Sequence, residues 1–481
     1  MTTHDPIVLR AHLAGDFHRP RYHFLPPSNW INDPNGVIQW RGRYHVFYQY
    51  NPTGAIWGNM HWGHAVSRDL VHWDDLPIAL APTPDSPDER GVFSGCAVDN
   101  GRPTIIYTGA RGENYDIQTQ NIAVSDDDDL IGWRKDPHNP VLSHVPDEAG
   151  QRENFRDPFV WRGEDGWYML LASEIRGVGG VVFLYRSDDL IAWEYLHPLL
   201  AGDKARNGIV WECPNFFPLG DKWVLVVSAH TGIDTGYVFY FVGTYQNRRF
   251  TPEVEGIFDY ATQYAPLAMR DDHGRRLIFG WVRESRTANE MRKAGWSGAL
   301  TIPRVLSLDA QNRLCMTPVP EIEQVRGTHH RLDPRSLDGE TLLPMRGLAW
   351  DIAATFALDA NGTCSLLIGC SDDGREHTEI RYDVAQGRLL IQTTTPTIGA
   401  MHLTQTRAVP HHLDDGERLT LRLLLDGSVL EIIANERTSV THRLYPTRAN
   451  CDGIRLSGAR AHLVALDLWE MPSIWHAAPA T

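Results

Sequence analysis

The sequence predicts an all-β chain in two parts, a five-bladed β-propeller followed by a C-terminal β-sandwich. Three observations carry this. A layout of polar motif, strand, tight turn and second strand recurs five times, with motif residues Asp33, Ser94, Asp157, Glu212 and Tyr264 at spacings of 61, 63, 55 and 52 residues. A second signal keeps the same beat: three segments of the type Asp-Leu-x-x-Trp end at Trp73, Trp133 and Trp193, 60 residues apart. From about residue 335 the chain turns to short alternating strands. A fixed long period with several strands per unit marks a radial array, and blades of roughly 40–50 residues with added loops fit the period. Short alternating strands between turns mark a sandwich.

The first unit opens with Trp30-Ile31-Asn32-Asp33-Pro34-Asn35-Gly36, followed by VIQW and YHVFYQY around the turn Arg41-Gly42. Asp-Pro-Asn-Gly alone is a turn, because Pro fixes φ while Asn and Gly tolerate φ > 0. The second unit has Phe93-Ser94-Gly95-Cys96, the third Arg156-Asp157-Pro158, the fourth Glu212-Cys213-Pro214-Asn215 and the fifth Tyr264-Ala265, each followed by its strand, turn and strand. The innermost strand of a propeller blade lines the axis. Equivalent strand ends would therefore bring Asp33, Ser94, Asp157, Glu212 and Tyr264 to one mouth, with three carboxylates in one pocket. Neighbouring side chains on a strand point to opposite faces, so Arg156 and Asp157 reach one ligand only if the strand bends there. Glu212 lies among apolar neighbours, where a desolvated carboxyl takes a raised pKa suited to a general acid.

The expected partition is 1–315 for the propeller, 316–334 for a linker in which VPEIEQVR forms a short helix, and 335–481 for the sandwich. Residues 1 to about 20 read as an N-terminal arm. Asp426-Gly427 is a hairpin turn between LRLLL and SVLEIIA, and Glu431 in that hairpin reads as an outward strand position whose removal does little. The sandwich concentrates no chemistry, which leaves it a supporting role and a surface for homo-oligomer contacts.

Of the 481 residues 42% are hydrophobic and 22% charged, as in a soluble globular chain. The net charge of −15 disfavours a nucleic-acid partner. The 16 Trp and 16 Tyr offer faces for stacking on sugar rings. His61 and His64 have zinc-like spacing but no third ligand, and the acidic run at 126–129 lacks the spacing of a calcium loop. The six cysteines form no metal-like cluster and no disulfide framework is expected, so neither a metal nor another cofactor is. No apolar stretch is long enough for a signal peptide or a membrane span, which predicts a cytoplasmic protein with no membrane partner.

With these four motifs in order, nearly the whole chain resembles glycoside hydrolase family 32, the family of invertases, β-fructofuranosidases and fructan hydrolases. The resemblance implies Asp33 as nucleophile, Glu212 as general acid/base, and Asp157 as the transition-state stabiliser that binds fructose hydroxyls with Arg156. It implies Asn32, Gln49, Trp57, Phe93 and Ser94 around the fructose, with Tyr264 and Trp281 from the fifth blade. The implied reaction is double displacement at C2 of a fructofuranosyl group, with carboxyls about 5–5.5 Å apart and sucrose as the default substrate. Ile31 stands where Met is common, and Cys96 where a small polar residue is frequent. Asn215 stands where many members have Asp, which removes a charge beside Glu212 and bears on the acceptor side. A fructosyltransferase or a fructan (inulin or levan) hydrolase would need the same three carboxylates. A non-catalytic sugar-binding propeller would be expected to have lost Asp33 or Glu212.

Overall fold

The computed structural model describes residues 5–147, 154–231, 235–394 and 406–475. Five sheets form the propeller, with innermost strands Asn29–Trp40, Gly91–Asp99, Arg156–Gly163, Val210–Leu219 and Gln263–Arg270. Each pairs antiparallel with the second strand of its own hairpin, as the repeated layout predicts. The periodic tryptophans mark one turn in three blades. Trp73 and Trp133 begin the outermost strands Trp73–Leu80 and Trp133–Lys135, and Trp193 directly precedes Glu194–Ala201. Three residues before each, Leu70, Leu130 and Leu190 adopt left-handed φ of 66°, 58° and 69°. A bulky residue there costs about 1–2 kcal/mol, which the full burial of all three leucines offsets.

The ring closes in a way no periodicity announces. After the second strand of the fifth blade, the chain passes through the short helix Ala288–Ala294 and lays Trp296–Ser297 parallel to the start of the first inner strand. It then returns to the fifth blade, which takes its outer pair from Arg304–Leu308 and Leu314–Pro318. A segment that begins and ends in the last blade is thus hydrogen-bonded to the start of the first, which ties the two blades together.

A 3-10 turn, Pro320–Val325, leads into ten strands built around two long ones, Ala349–Cys370 and Gly453–Glu470. These two pair with each other along nearly their whole length. The first half of Ala349–Cys370 pairs with Leu419–Asp426 and the second half with Thr378–Asp383, so the two strands run through both layers of the sandwich. The core between the layers is made almost wholly of residues from this half of the chain.

Between propeller and sandwich lies a buried set of charges. Arg304 places its guanidinium against Glu431, at 2.5 Å from Oε2, and also reaches Asp259 at 3.6 Å. His23 lies between Asp426 and Glu431, with ring nitrogens at 2.9 and 3.0 Å from their oxygens. Glu431 is 1% exposed. The expectation of an outward Glu431 is therefore wrong: every residue of Val429–Ala434 is buried, because one face of this hairpin covers the sandwich core and the other meets the propeller. Burial opposes ionisation of Glu431, but the charge of Arg304 and the bonds from His23 outweigh it and hold the carboxyl down at about 2. Burial likewise opposes protonation of His23, but Asp426 and Glu431 raise its pKa. The contribution of Glu431 to stability is thus present above its unfolded value and lost as pH falls towards 2, whereas that of His23 is lost as pH rises past its raised value. Glu431→Gln leaves Arg304 and His23 buried without this counter-charge and should destabilise the chain by about 3–5 kcal/mol in denaturant unfolding at pH 7. A variant within about 0.5 kcal/mol of the parent, the usual range for a surface change, would contradict this account of the joint.

Candidate active site

One backbone feature recurs at the motif position of all five inner strands. The pairing of each with its neighbour slips between Ile31 and Pro34, Val92 and Gly95, Arg156 and Phe159, Glu212 and Asn215, and Tyr264 and Leu267. A bulge of this kind bends the strand and re-aims its side chains. In three of the five a non-glycine residue is driven into the left-handed region: Asp157 at φ 62°, Cys213 at 46° and Ala265 at 47°. Such positions cost about 1–3 kcal/mol each and cluster at functional sites. In the second blade Gly95 allows the close approach, since a Cβ there would sit 2.1 Å from the Ile106 carbonyl oxygen.

The bulges, with the neighbouring strands and loops, bring every candidate site residue from the sequence to one cavity of about 410 Å³. Asn32, Asp33, Gln49, Trp57, Phe93, Ser94, Arg156, Asp157, Glu212, Tyr264 and Trp281 all line it. Asp33 accepts from Ser94 Oγ at 2.6 Å and from Asn32 Nδ2 at 2.9 Å, and Asn32 is itself fixed by the Trp30 indole N–H at 2.7 Å. Asp157 accepts from the Cys213 amide at 3.0 Å. The Cys213 thiol lies 3.7 Å from Asp33 and 3.5 Å from Asp157, so the two carboxylates flank one sulfur. Arg156 donates to Glu212 Oε1 from Nη2 at 2.7 Å and from Nε at 3.2 Å, and its Nε is 4.0 Å from Asp157. The Tyr264 hydroxyl donates to the other Glu212 oxygen. Gln49 spends its amide on the Val92 carbonyl at 2.9 Å while lining the pocket. The Trp281 indole nitrogen is buried with no hydrogen-bond partner. Trp57 is 45% exposed and packs edge-on against Tyr115 and Phe93, with centroids 5.2 and 6.1 Å apart.

Two of the three carboxylates, Glu212 and Asp157, share one guanidinium, and the sharing is unequal. Burial pushes the Asp33 carboxyl up to about 6; the bonds from Ser94 and Asn32 only partly oppose this, and the charge of Glu212 adds to it. Burial also pushes Asp157 up to about 7, against the nearby Arg156 charge and with the charges of Glu212 and Asp33. At Glu212 burial is outweighed by the Arg156 charge and by the bonds from Tyr264 and Arg156, so its pKa is lowered. This corrects the expectation of a raised Glu212: the adjacent Arg156 and Asp157 look like a pair in sequence, but the bulge turns the guanidinium mainly onto Glu212. Burial and the surrounding carboxylates raise the Cys213 thiol well above its usual value, which disfavours the thiolate a nucleophile needs.

Other expectations meet the structure differently. The Asn215 side chain does not face Glu212; it is fully buried, donating to the Pro266 carbonyl and accepting from the Ala268 amide, both at 2.7 Å. An Asp there could not make the first of these bonds, so Asn215 ties the fourth blade to the fifth. The Cys96 sulfur similarly accepts from the Val160 amide of the third blade at 3.2 Å. His64 is buried against His45, ring nitrogens 3.0 Å apart, and no group of three metal-ligating side chains occurs among the described residues. Five lining residues had no role assigned from the sequence: Asn114, Tyr115, Gln118, Asn154 and His230. Gln118 and Asn154 accept from Arg156 Nη1 at 3.2 and 3.0 Å and so help aim it. The polar run QTQN at 118–121, placed in a buried strand, was the signal available for Gln118.

An axial pocket with three carboxylates, a guanidinium and aromatic walls on a five-bladed propeller has the chemistry of a carbohydrate-active site. The family profile described as Glycosyl hydrolases family 32 N-terminal domain matches residues 23–318, and that described as Glycosyl hydrolases family 32 C terminal matches residues 321–470. The chain belongs to glycosyl hydrolase family 32. It is 34% identical over 465 residues to a sucrose-6-phosphate hydrolase of Zymomonas mobilis, covering 90% of this chain and 88% of that protein. It is 35% identical over 469 residues to the raffinose invertase of Escherichia coli, covering 92% of each. The crystal structure of fructan 1-exohydrolase IIa from Cichorium intybus superposes with a TM-score of 0.85 at 28% identity, covering 95% of this chain and 98% of that one.

The electrostatics predict a cost of function. Asp157 holds a proton in the folded state up to about pH 7 that the unfolded chain gives up near 4, so stability falls as pH rises through that window. Asp157→Asn removes the penalty and should stabilise the fold at pH 8 by on the order of 2–4 kcal/mol, with no gain at pH 4. Thermal unfolding of parent and variant at the two pH values checks this; a gap that stays constant with pH would show that Asp157 carries no such shift.

Proposed function

We propose that this chain hydrolyses the β-fructofuranosyl bond of sucrose-type substrates with retention of configuration, and that sucrose 6-phosphate is the preferred substrate. The observation that carries the reaction is the placing of Asp33 and Glu212 in one pocket in different environments. Asp33 is held by Ser94 and Asn32, with no cation among its recorded bonds, and Glu212 is held by Arg156 and Tyr264. In the proposed first step a carboxylate oxygen of Asp33 attacks C2 of fructose while Glu212 gives its proton to the departing oxygen, so a C2–O bond to Asp33 forms as the glycosidic bond breaks. In the second step Glu212 takes a proton from water, whose oxygen attacks C2 and frees Asp33. Asp157 and Arg156 bind fructose hydroxyls. Each bond that Arg156 makes to the sugar weakens its hold on Glu212 and raises the proton affinity of that carboxyl towards what an acid needs. The unpartnered Trp281 indole is a donor available to a sugar oxygen.

Support for the phosphorylated substrate comes from the Zymomonas mobilis relative. Unphosphorylated sucrose is the second reading. It is favoured by the likeness to the raffinose invertase and by the lining, in which Arg156 and His230 are the only Arg, Lys or His side chains among the described residues and Arg156 is engaged with Glu212. Comparing kcat/KM for the two substrates decides between them: a higher value for sucrose 6-phosphate supports the first reading, and an equal or lower one supports the second. New oligosaccharides from concentrated sucrose would show transfer instead, and fructose from inulin or levan alone would show a fructan hydrolase. Asp33→Ala and Glu212→Gln should each lower kcat by about 100- to 10 000-fold with the fold intact. By NMR the first fructose released should be the β-anomer; initial release of the α-anomer would overturn the double-displacement mechanism.

A further inference from the structure

The same five inner strands frame a second cavity at their other ends. It holds about 1160 Å³ and is lined by residues 37–39, 96–99, 159–165, 216–218 and 267–270 together with side chains of the adjoining strands. Asp33 and Gln39 are six residues apart on one strand, so the two cavities are separated by about 20 Å along the axis.

Two features make this chamber more than a gap between blades. The first is cationic. Arg270 and Arg276 are cross-strand partners in the fifth blade, and neither forms an ion pair among the described residues. The Arg276 guanidinium lies over the Phe217 ring at 4.6 Å, and its Nε is buried with no acceptor. Burial, with the charge of Arg270 beside it, lowers Arg276 to about 10. Of the acids lining this mouth, Asp165 takes Arg248 at 2.5 Å, Asp99 accepts from the Gly101 amide, and Glu164 is exposed in the turn after the third inner strand. The second feature is a wall of half-buried aromatic rings, Trp161, Trp223 and Tyr245, in which the Tyr245 hydroxyl is buried without a partner. A buried cation without a counter-charge and a buried hydroxyl without a partner both cost stability, and a ligand that answers both relieves both costs. Arginines suit a phosphate, and aromatic faces suit the C–H side of a sugar ring.

We propose that this axial chamber is a second binding site, for a phosphorylated monosaccharide. Arg270 and Arg276 hold the phosphate, Trp161 and Trp223 pack on the ring, and the Tyr245 hydroxyl bonds a sugar oxygen. The proposal is independent of which fructoside the catalytic pocket cleaves.

Isothermal titration of the full chain with glucose 6-phosphate, inorganic phosphate and glucose tests it. The expected result is binding of glucose 6-phosphate, weaker binding of inorganic phosphate and none of glucose. The double variant Arg270→Gln/Arg276→Gln should weaken glucose 6-phosphate by about tenfold or more, with kcat/KM on sucrose within about twofold of the parent. If the double variant loses activity through misfolding, Tyr245→Phe, which removes one oxygen, should still weaken binding several-fold at unchanged turnover. Absence of binding to the parent would overturn the site. So would inorganic phosphate binding as tightly as the sugar phosphate. Undiminished binding in the folded double variant, or in Tyr245→Phe where that variant decides, would assign the ligand to the catalytic pocket and also overturn it.

Discussion

Three carboxylates and one guanidinium line one pocket, the carboxyls buried enough that charging all three is costly, and much of the propeller serves that arrangement. Arg156 settles the distribution. By turning onto Glu212 it lowers the proton affinity of that carboxyl, while burial leaves those of Asp33 and Asp157 raised. Groups this close titrate as a set rather than singly. The unliganded pocket is therefore a resting distribution of protons, and any group that drew Arg156 away from Glu212 would redistribute them. Gln118, Asn154 and Tyr264 belong to the same device, because they fix where the guanidinium points and which Glu212 oxygen it meets.

The scaffold holds this geometry through bonds that cross from blade to blade near the bulges. Thr108 accepts from the Asp157 amide at 2.9 Å, Ser228 from the Ala265 amide at 3.0 Å, Cys96 from Val160 and Asn215 from Ala268. Asp157 itself spans the third and fourth blades through the Cys213 amide. The strained residues Asp157 and Ala265 are thus each pinned through their own amide by a side chain of the preceding blade. Strain persists where the surroundings over-determine it, and here the neighbouring sheet supplies that determination.

What was legible in the sequence follows from what repeats. The fivefold layout placed the inner strands, and with them Asp33, Asp157 and Glu212 at one mouth, because equivalent positions in a radial array converge. The turn before each repeated tryptophan was legible for the same reason. Features built from contacts distant in sequence were not. A two-residue strand such as Trp296–Ser297 carries no periodicity, so ring closure could not be read. Glu431 sits in a hairpin whose alternation resembles that of any half-exposed strand; only the propeller packed against it makes both faces buried. The proton affinity of Glu212 depended on whether Arg156 would face its sequence neighbour or a residue 56 positions away, a choice made by the bulge. Tyr115 and His230 come from segments with no motif, and only the fold shows them beside the pocket.

The buried joint of His23, Asp259, Arg304, Asp426 and Glu431 also bears on how such a chain can change by descent. Its charges come from the N-terminal segment, the propeller and the sandwich, and none can be replaced alone without stranding an ion in a dry interface. The two halves are therefore not interchangeable cassettes. A sandwich transplanted from a diverged relative would have to bring matching acids at the positions of Asp426 and Glu431, or the hybrid would carry naked arginine and histidine at its seam. Selection then acts on the halves as one heritable unit, even though, among the described residues, only the propeller lines the candidate active-site pocket.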